Sequence, residues 1–304
     1  MKKIHNNYPL NQSCLFKLKS KRKLAELLEL EETFLRDKKY LKIVEYSEFL
    51  NEKGRLIESS KPELKKVQKK ILLYLSKIIT PEYLISGKKG SSYLTNSQQH
   101  SKGKRYILTS DISKFYNSSK RKYIYRMFKE EFETSEDVAG ILTDFVCYKN
   151  HIPTGAPTSQ IISYFAYKNI FDKINTLSIE NGYIFTLYVD DMTFSATEPI
   201  PDIFLNKIKN ILSKMELKVK EKKTKRYGIK KNAIITGVCI DKNGEFKIPN
   251  KLRYSLLNVY NKYKNDQDPK KFLLLTGKIQ AARNIEKDSF SFLQKKLIKK
   301  KPLS

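Results

Sequence analysis

The sequence predicts an α+β fold built on an antiparallel sheet. Two apolar stretches have the pattern of strands, and each of them runs into an acidic residue. Residues 184–194 carry apolar and β-branched side chains on both sides of the adjacent pair Asp190 and Asp191, which is the pattern of a hairpin with charged residues at its turn. Residues 106–110 form a second apolar stretch that ends at Asp111. Enough chain separates the two stretches for them to return as neighbouring strands of one sheet.

The elements before the first acid follow from periodicity and turn residues. Residues 1–20 are polar and basic and are expected to form a loose arm. Apolar residues recur at helical spacing over 24–34, residues 40–46 alternate as a strand, and turn residues at 51–54 lead into a second strand. Pro62 then opens a long amphipathic helix. Its apolar face consists of Leu64, Val67, Ile71, Leu72, Leu75 and Ile78.

The elements after the first acid are helices and strands in turn. Residues 161–174 and 203–215 show the apolar spacing of helices on either side of the acidic hairpin. A strand over 233–240 and a hairpin turn at 241–245 follow. Beyond Pro249 the pattern is helical, and the sequence ends in a basic segment. The helical segments there are 252–260, 272–279 and 290–298, and the basic end contains Lys299, Lys300 and Lys301.

The acids in this arrangement indicate metal-assisted phosphoryl transfer. Adjacent carboxylates repel, and each raises the pKa of the other unless a cation lies between them. Mg²⁺ takes hard oxygen ligands, usually one or two carboxylates together with phosphates. Three carboxylates from two adjacent strands could hold two ions about 4 Å apart, which clamp the attacking and leaving oxygens of an in-line displacement. The pair Asp190 and Asp191 alone is also compatible with a solvated turn, so Asp111 favours the metal interpretation.

The charge of the chain predicts a nucleic-acid partner. The 304 residues include 60 Lys and Arg against 32 Asp and Glu, a net charge of +28. Phosphate neutralisation dominates the affinity of such proteins for nucleic acid, and an anionic membrane surface is the alternative partner. The sequence shows no apolar run that would span a membrane and no signal-peptide core. Its 3 cysteines are scattered, which favours a reducing compartment and argues against a zinc site.

Three motifs occur in an order that is typical of one polymerase family. A loop punctuated by Pro and Gly lies between the two acidic strands and precedes the helix at 161–174. The motifs are Asp111-x4-Tyr116, Gly155-Ala156-Pro157-x-Ser159 and Tyr188-Val189-Asp190-Asp191. In this order and at this spacing, they resemble the palm of a reverse transcriptase.

Flanking residues resemble the compact bacterial reverse transcriptases of the retron class, over about residues 24–285. They are Arg55-Leu56-Ile57 with Pro62, Leu64-Lys65 and Gln68, then Asn96-x3-His100, Tyr148-Lys149-Asn150 and Ile235-Thr236-Gly237. The chain departs from the family pattern at Ser97, Val189 and Ile235, where alanine, alanine and valine are usual. Other defence-associated bacterial reverse transcriptases share the palm and are the alternative class.

The resemblance implies a right-hand polymerase with fingers, a ferredoxin-like antiparallel palm and a short helical thumb. Residues 1–104 would be the N-terminal arm and the fingers, interleaved with the palm. Residues 105–248 would be the palm with the active site, and residues 249–304 a basic helical thumb over the duplex.

The resemblance also implies the catalytic residues. Asp111, Asp190 and Asp191 would be the catalytic acids. Together with the Ile112 carbonyl they would hold two Mg²⁺ ions, for which Mn²⁺ is a substitute. If strand alternation persists through the turn, Asp191 points to the other side of the ribbon.

The resemblance further implies a binding site for the incoming dNTP. Lys53 and Arg55 would reach the triphosphate, and Tyr116 would lie under the sugar and exclude a 2′-OH. Lys223 would protonate the leaving pyrophosphate. The floor under the templating base pair would be formed by Gly155, Ala156, Pro157 and Ser159. The residues alone also allow solvated charges at positions 53, 55 and 223 and a core tyrosine at position 116.

Asn96 and His100 stand at helical spacing before the first acidic strand. The resemblance makes them an RNA-associated element beside the palm. The residues alone equally allow a helix cap and a surface histidine.

The implied activity is RNA-directed DNA synthesis from dNTPs in the bacterial cytoplasm, without a membrane partner. For a retron, a structured non-coding RNA would serve as template and primer. The product would be branched multicopy single-stranded DNA that acts in anti-phage defence, with an effector or toxin protein from the same locus. The alternatives are a defence reverse transcriptase with another template or priming mode, and a non-catalytic polymerase relative that only binds RNA.

Overall fold

The computed structural model describes residues 7–103 and 105–298. Its strands are β1 (Tyr46–Leu50), β2 (Leu56–Ser60), β3 (Tyr106–Asp111), β4 (Ile184–Tyr188), β5 (Asp191–Ala196), β6 (Lys225–Tyr227), β7 (Ala233–Ile235), β8 (Val238–Ile240) and β9 (Phe246–Lys247). Its α-helices are α1 (Lys21–Leu28), α2 (Glu32–Arg36), α3 (Pro62–Leu75), α4 (Tyr93–Gln99), α5 (Phe115–Ser118), α6 (Arg121–Arg126), α7 (Glu136–Val146), α8 (Ser159–Ala166), α9 (Lys168–Glu180), α10 (Asp202–Ser213), α11 (Asn250–Asp266), α12 (Pro269–Ile285) and α13 (Ser291–Ile298). Within these residues, no helix is both long enough and apolar enough to cross a membrane.

A four-stranded antiparallel sheet in the order β4-β5-β3-β6 forms the centre of the fold. β3 lies between β5 and β6, and β5 follows β4 across a tight turn. Helices α5 to α9 lie between β3 and β4 in the chain, and α10 lies between β5 and β6. This strand order and connectivity are those of a ferredoxin-like sheet. The predicted α+β class is therefore confirmed.

Aromatic side chains form a large part of the core beside this sheet. Phe194 on β5 is fully buried, its ring stacks on that of Phe185 at a centroid distance of 5.0 Å, and it meets Phe204 of α10 edge-on at 5.2 Å. Phe171 of α9 and Phe145 of α7 are also fully buried. Each such ring removes about 150–250 Å² from water. The same apolar cluster includes residues of α1 and α3, so the N-terminal helices share one core with the sheet.

The N-terminal segment packs against this core. Leu15 and Leu18 are buried, so the expected loose arm is wrong for residues 7–20. Two leucines among the basic residues supply the apolar surface that docks the segment. The remainder of the predicted arm, its first six residues, lies outside the described part of the chain. The single helix predicted over 24–34 is two helices, α1 and α2, because Glu29 adopts a left-handed φ of 57°.

β1 and β2 form the predicted hairpin, but β1 starts later than predicted. Residues 40–46 alternate in sequence, yet Lys39–Ile43 is a 3-10 turn and the strand begins at Tyr46. The turn buries Tyr40, whose hydroxyl donates to Asp144 of α7 at 2.8 Å. A tertiary contact has therefore overridden the local strand pattern.

Two predicted elements are interrupted by turns. The helix predicted over 161–174 is divided at the buried Tyr167 into α8 and α9. The strand predicted over 233–240 is divided into β7 and β8 by Thr236 and Gly237, which have φ values of 46° and 87°. Positive φ at both central residues is typical of a two-residue hairpin turn. Helices α6 and α7 have no counterpart in the sequence prediction.

The C-terminal helices have a separate apolar cluster. The predicted helical segments there are confirmed as α11, α12 and α13, with the first two longer than predicted. The cluster includes Leu256 and Tyr263 of α11, Leu275 and Ile279 of α12, and Leu297 of α13. β7, β8 and β9 form a second sheet of three strands, and Val238 of β8 belongs to the same cluster. The basic residues Lys299, Lys300 and Lys301 lie outside the described part of the chain.

Replacing Phe194 by alanine is expected to lower the free energy of unfolding by about 3–5 kcal/mol, because a fully buried ring is lost from a packed core. Urea unfolding followed by circular dichroism measures this loss. Ile203→Ala on α10 is the matched control, since Ile203 is 66% exposed. It should change the free energy by no more than about 0.5 kcal/mol. Equal effects of the two variants would contradict this description of the core.

Candidate active site

The central sheet brings the three predicted acids together. β3 and β5 pair in a register that places Asp111 opposite Asp191, and Asp190 lies in the turn between β4 and β5. One oxygen atom from each of the three carboxylates lies within 4.8 Å of the other two. Across residues 7–103 and 105–298, this is the one group of acidic, His or Cys side chains that meets the spacing of a metal site.

The turn that carries Asp190 is held in an unusual conformation. Val189 has a φ of 61°, a value that β-branched residues rarely adopt. Its amide donates to Ser86 Oγ at 2.9 Å, and the Asp190 carbonyl accepts from the Ile112 amide at 3.0 Å. Two other segments of the chain therefore hold a turn that its own sequence disfavours. Backbone strain of this kind is common at active sites.

Asp191 points toward the other two acids, so the expectation that it faces the other side of the ribbon is wrong. It begins β5 as the cross-strand partner of Asp111, and directly opposed residues of an antiparallel pair lie on the same face. Asp190 reaches this face because the left-handed Val189 interrupts the alternation. Simple alternation fails at this turn for that reason.

Burial and mutual repulsion disfavour the charged forms of these acids. Burial raises the pKa of Asp190, and the charge on Asp111 raises it further. The pKa of Asp191 is raised to about 8 by burial, by a hydrogen bond with Asp111 and by the charges of its two acidic neighbours. The positive charge of Lys223 opposes both shifts without cancelling them. The cluster therefore has more negative charge than its surroundings compensate.

Lys223 lies against the same carboxylates. It belongs to a 3-10 turn just before β6, and its Nζ donates to Asp111 Oδ1 at 2.9 Å. Burial alone lowers the pKa of its ammonium group, but the hydrogen bond to Asp111 and the charges of the other acids outweigh burial, and the pKa is raised. The lysine therefore holds its proton next to the acids.

The residues of the cluster fit a hard divalent cation. The carboxylates of Asp111, Asp190 and Asp191 supply oxygen ligands at close range, and Mg²⁺ and Mn²⁺ prefer such ligands to nitrogen or sulfur. A cation among them would relieve the repulsion that raises the pKa values of Asp190 and Asp191. Ile112 lies beside Asp190, where its carbonyl was predicted as a further ligand.

A cleft of about 380 Å³ opens beside the acids and contains several predicted nucleotide-binding residues. Arg55, Tyr116, Lys223 and Asp190 all line it, and the positive charge of Arg55 acts on Asp190. The half-buried ring of Tyr116 stacks on that of Phe115 at a centroid distance of 6.0 Å. Burial and the charge of Asp190 raise the pKa of Tyr116 to about 12. Tyr116 therefore faces the cleft, while Phe115 belongs to the core.

The loop before α8 forms a wall of this cleft. Gly155 approaches β2 so closely that a Cβ atom would lie 2.9 Å from the Glu58 carbonyl oxygen, and therefore glycine alone fits there. Thr154 is the loop residue that lines the cleft. Of the other predicted floor residues, Ala156 and Pro157 belong to the same loop and Ser159 is the first residue of α8, and none of the three lines the cleft. The close approach of Gly155 to β2 fixes the loop against the hairpin.

The structure brings only one of the two predicted phosphate-binding residues of the hairpin to the cleft. Arg55 lines the cleft directly before β2. Lys53 is exposed at the hairpin turn, where its amide donates to Asn51 Oδ1 at 3.0 Å, and it does not belong to the cleft lining.

Asn96 and His100 are buried, so the interpretation of His100 as a surface histidine is wrong. The two ring nitrogens of His100 lie 2.8 Å from the hydroxyls of Ser195 and Thr186, and burial lowers its pKa to about 3. The Asn96 amide donates to the Thr236 hydroxyl. Both residues therefore connect α4 to neighbouring strands and turns, with their side chains away from solvent.

Sequence reasoning missed several residues at the cleft. Lys114 and Lys220 line it, and Glu58 lies in its wall in contact with His151. One signal was available for Glu58, because it is an acid within a short strand next to a predicted binding residue. His151 carries no comparable signal, since its partner is 93 positions away in the sequence.

The chain is similar to known reverse transcriptases. A model of the reverse transcriptase (RNA-dependent DNA polymerase) family matches residues 38–275. The Retron Se72 reverse transcriptase of Salmonella heidelberg is 29% identical over 183 residues, which are 57% of this chain and 47% of that protein. The Retron Ec86 reverse transcriptase of Escherichia coli is 30% identical over 143 residues, which are 47% of this chain and 44% of that protein. The chain therefore spans about half the length of these relatives.

A solved structure shares the fold. The telomerase of Candida albicans, in complex with a fragment of telomeric RNA, aligns with a TM-score of 0.51 at 12% identity. The alignment covers 82% of this chain and 56% of the telomerase chain. At this identity the likeness concerns the fold alone. Together with the family match, it confirms the predicted right-hand polymerase fold.

The raised pKa of Asp191 predicts that stability in a chelator falls as the pH rises. The folded protein disfavours the ionised carboxyl, so the contribution of the protonated group is complete below the ordinary value of 3.8 and is lost as the pH rises through about 8. Thermal unfolding in EDTA should give a lower melting temperature at pH 8 than at pH 6. Asp191→Asn should remove most of this difference.

Mg²⁺ at pH 8 is expected to raise the melting temperature of the wild type by about 2–4 °C, the shift expected from roughly 1 kcal/mol, and to have little effect on Asp191→Asn. Glu198→Gln is the matched control, because Glu198 is an exposed acid just after β5. It should behave as the wild type in both buffers. If the melting temperatures of the wild type and Asp191→Asn depended on pH in the same way, the ionised Asp191 carboxyl would not destabilise the fold as inferred here.

Proposed function

Because the chain belongs to the reverse transcriptase (RNA-dependent DNA polymerase) family, we propose that it copies an RNA template into DNA from dNTPs. The observation that carries this proposal is the meeting of Asp111, Asp190 and Asp191 at the edge of the cleft, with oxygen atoms within 4.8 Å of one another. Family membership names the reaction class, and the acid cluster would supply the ligands for the metal ions that such a reaction uses.

The three acids would hold two Mg²⁺ ions, with the Ile112 carbonyl as a further ligand and Mn²⁺ as a substitute. When bound, such ions stabilise the charge on the attacking and leaving oxygens of an in-line phosphoryl transfer. The contribution of the protein is to aim its oxygen atoms at a common point. The pairing of β3 with β5 and the restrained turn at Val189 support this role.

The cleft residues would bind and orient the incoming dNTP. The Arg55 guanidinium is suited to bidentate contact with phosphate, and Lys53 at the hairpin turn would reach the outer phosphates. The Tyr116 ring would lie under the sugar and exclude a 2′-OH. Lys223 would pass its proton to the leaving pyrophosphate, a form of catalysis worth about 10²–10⁴ in rate. The loop residues Gly155, Ala156, Pro157 and Ser159 would support the templating base pair.

The finer proposal is that the activity is that of a retron. The likeness to the Se72 and Ec86 retron enzymes supports it. The retron-like motifs also meet in space, because Asn96 is bonded to Thr236 and the Ser97 hydroxyl donates to the Ile235 carbonyl at 3.0 Å. In this proposal, Asn96 and His100 support an RNA-binding region from within the protein.

In a retron, the partner would be a structured non-coding RNA that acts as template and primer. The product would be branched multicopy single-stranded DNA, made in the bacterial cytoplasm for anti-phage defence together with an effector protein from the same locus. The proposed division of the chain is fingers within residues 1–104, a palm at 105–248 and a basic thumb at 249–304. The separate apolar cluster of α11, α12 and α13 supports a distinct thumb.

Asp190→Asn is expected to abolish incorporation of dNTPs on an RNA template, because it removes a charged ligand from the cluster. RNA affinity should stay within a few-fold, since one acid contributes little to phosphate contacts. A primer-extension assay with Mg²⁺ and a filter-binding assay with the same RNA measure the two effects. Glu198→Gln is the control and should retain both activities. Incorporation of dNTPs by Asp190→Asn would contradict the assignment of Asp190 as a metal ligand.

Expression with the native flanking DNA should yield a discrete short DNA joined to RNA that copurifies with the wild type and not with Asp190→Asn. Separate RNase and DNase treatments before electrophoresis identify the two parts. Heterogeneous, homopolymeric or protein-linked DNA would support polymerase activity but would favour another class of defence-associated reverse transcriptase. RNA alone in both samples, with no metal-dependent use of dNTPs, would favour a non-catalytic RNA-binding relative.

A further inference from the structure

A buried side-chain contact joins the β1–β2 hairpin to the loop before α8. Glu58 on β2 is only 2% exposed, and both of its carboxylate oxygens lie 3.0 Å from His151 Nε2. The Thr154 amide also donates to Glu58 Oε2 at 3.3 Å. A carboxylate buried to this degree is stable only when its oxygen atoms have hydrogen-bond partners. His151 and the Thr154 amide are the partners of Glu58.

Both ring nitrogens of His151 face hydrogen-bond acceptors. Nδ1 lies 3.0 Å from the Lys149 carbonyl oxygen, and Nε2 faces the Glu58 carboxylate. A carbonyl and a carboxylate can only accept, and a neutral imidazole has only one N–H to donate. Both nitrogens of the ring are therefore engaged, one by the turn and the other by β2.

A tight turn holds this ring in place. The backbones of Tyr148 and His151 exchange two hydrogen bonds of 2.9 Å each. Lys149 and Asn150 between them have φ values of 45° and 65°, which is the conformation of a type I′ turn. The turn precedes the loop directly, so it fixes the ring relative to that loop.

The charged groups around His151 come from three other places in the fold. Glu58 on β2 faces the ring. Glu48 on β1 stands opposite Glu58 in the hairpin and forms an ion pair of 2.6 Å with Lys149 of the turn. Lys120, just before α6, forms a β-bridge with His151. Two acids of the hairpin thus meet two bases of the turn, one pair buried and the other exposed.

The buried pair lies in the wall of the cleft. Glu58 and Thr154 line the cleft together with Arg55 and Asp190. Arg55 precedes Glu58 by three residues, which is about 10 Å along a strand. A shift of β2 relative to the loop would therefore move Arg55 relative to the acids.

We propose that Glu58 and His151 form a latch that positions the β1–β2 hairpin, and with it Arg55, over the cleft. This rests on the proposed polymerase function of the cleft. Loss of either side chain removes the buried contact, so the hairpin shifts relative to the loop and the dNTP loses its Arg55 contact. Both residues are positioning residues, because they act through Arg55.

Steady-state kinetics test the positioning role. Glu58→Gln and His151→Gln should raise the KM for dNTP by about 10- to 100-fold, the range for loss of a hydrogen bond to a charged group. The kcat should stay within about twofold, since ground-state and transition-state binding are lost equally. Glu48→Gln is the matched control, because Glu48 lies on the same face of the hairpin but in the exposed pair. It should keep the wild-type KM. An unchanged KM in Glu58→Gln would overturn the proposal.

Failure of the polymerase proposal would give a different result. If the wild type incorporates no dNTP, hydrogen exchange still tests the latch, because the Gly155 amide donates to the Glu58 carbonyl at 3.0 Å. This amide should exchange faster in His151→Gln than in Glu48→Gln. Equal exchange in the two variants would reject the latch whatever the activity.

Discussion

The candidate site depends on the register in which β3 pairs with β5. Leu108 stands opposite Phe194 in this pairing, and both side chains are fully buried in the core. Three residues further along, the same register sets Asp111 opposite Asp191 on the other face of the sheet. A shift of one residue would place apolar side chains outside the core and carry one acid away from its partner. A requirement of the apolar core therefore decides where the charges meet.

The apolar core also compensates for features of the acidic site that destabilise the folded protein. Burial and repulsion raise the pKa values of Asp190 and Asp191, and the φ of 61° at Val189 adds backbone strain. Such features persist only where the surrounding structure restrains them. Here the restraints are the Ser86 hydroxyl, the Ile112 amide and the paired strands. In the free protein, Lys223 supplies one positive charge next to Asp111, and a divalent ion would supply more.

Local sequence patterns predicted the parts of this structure that are determined locally. The acidic hairpin, the strand that ends at Asp111 and most amphipathic helices belong to this group. The direction of Asp191 does not, because it depends on a left-handed residue that contacts from elsewhere maintain. The turn at Thr236 was also not predictable from local sequence, because β-branched residues rarely adopt positive φ. Glu58 and His151 lie 93 positions apart, so no local pattern could pair them.

The two sides of the cleft are held in place in different ways. The acids lie on a four-stranded sheet whose strands pack into the main core. Strand pairing and core packing therefore both fix the positions of the acids. The β1–β2 hairpin is a two-stranded sheet with four of the five β1 residues exposed, and such a hairpin has little stability of its own. It is tied to the loop where Gly155 and Thr154 bond to Glu58 and where His151 contacts that buried carboxylate. The geometry of Arg55 relative to the acids therefore depends on this contact as well as on the core, against which Tyr46 of β1 packs.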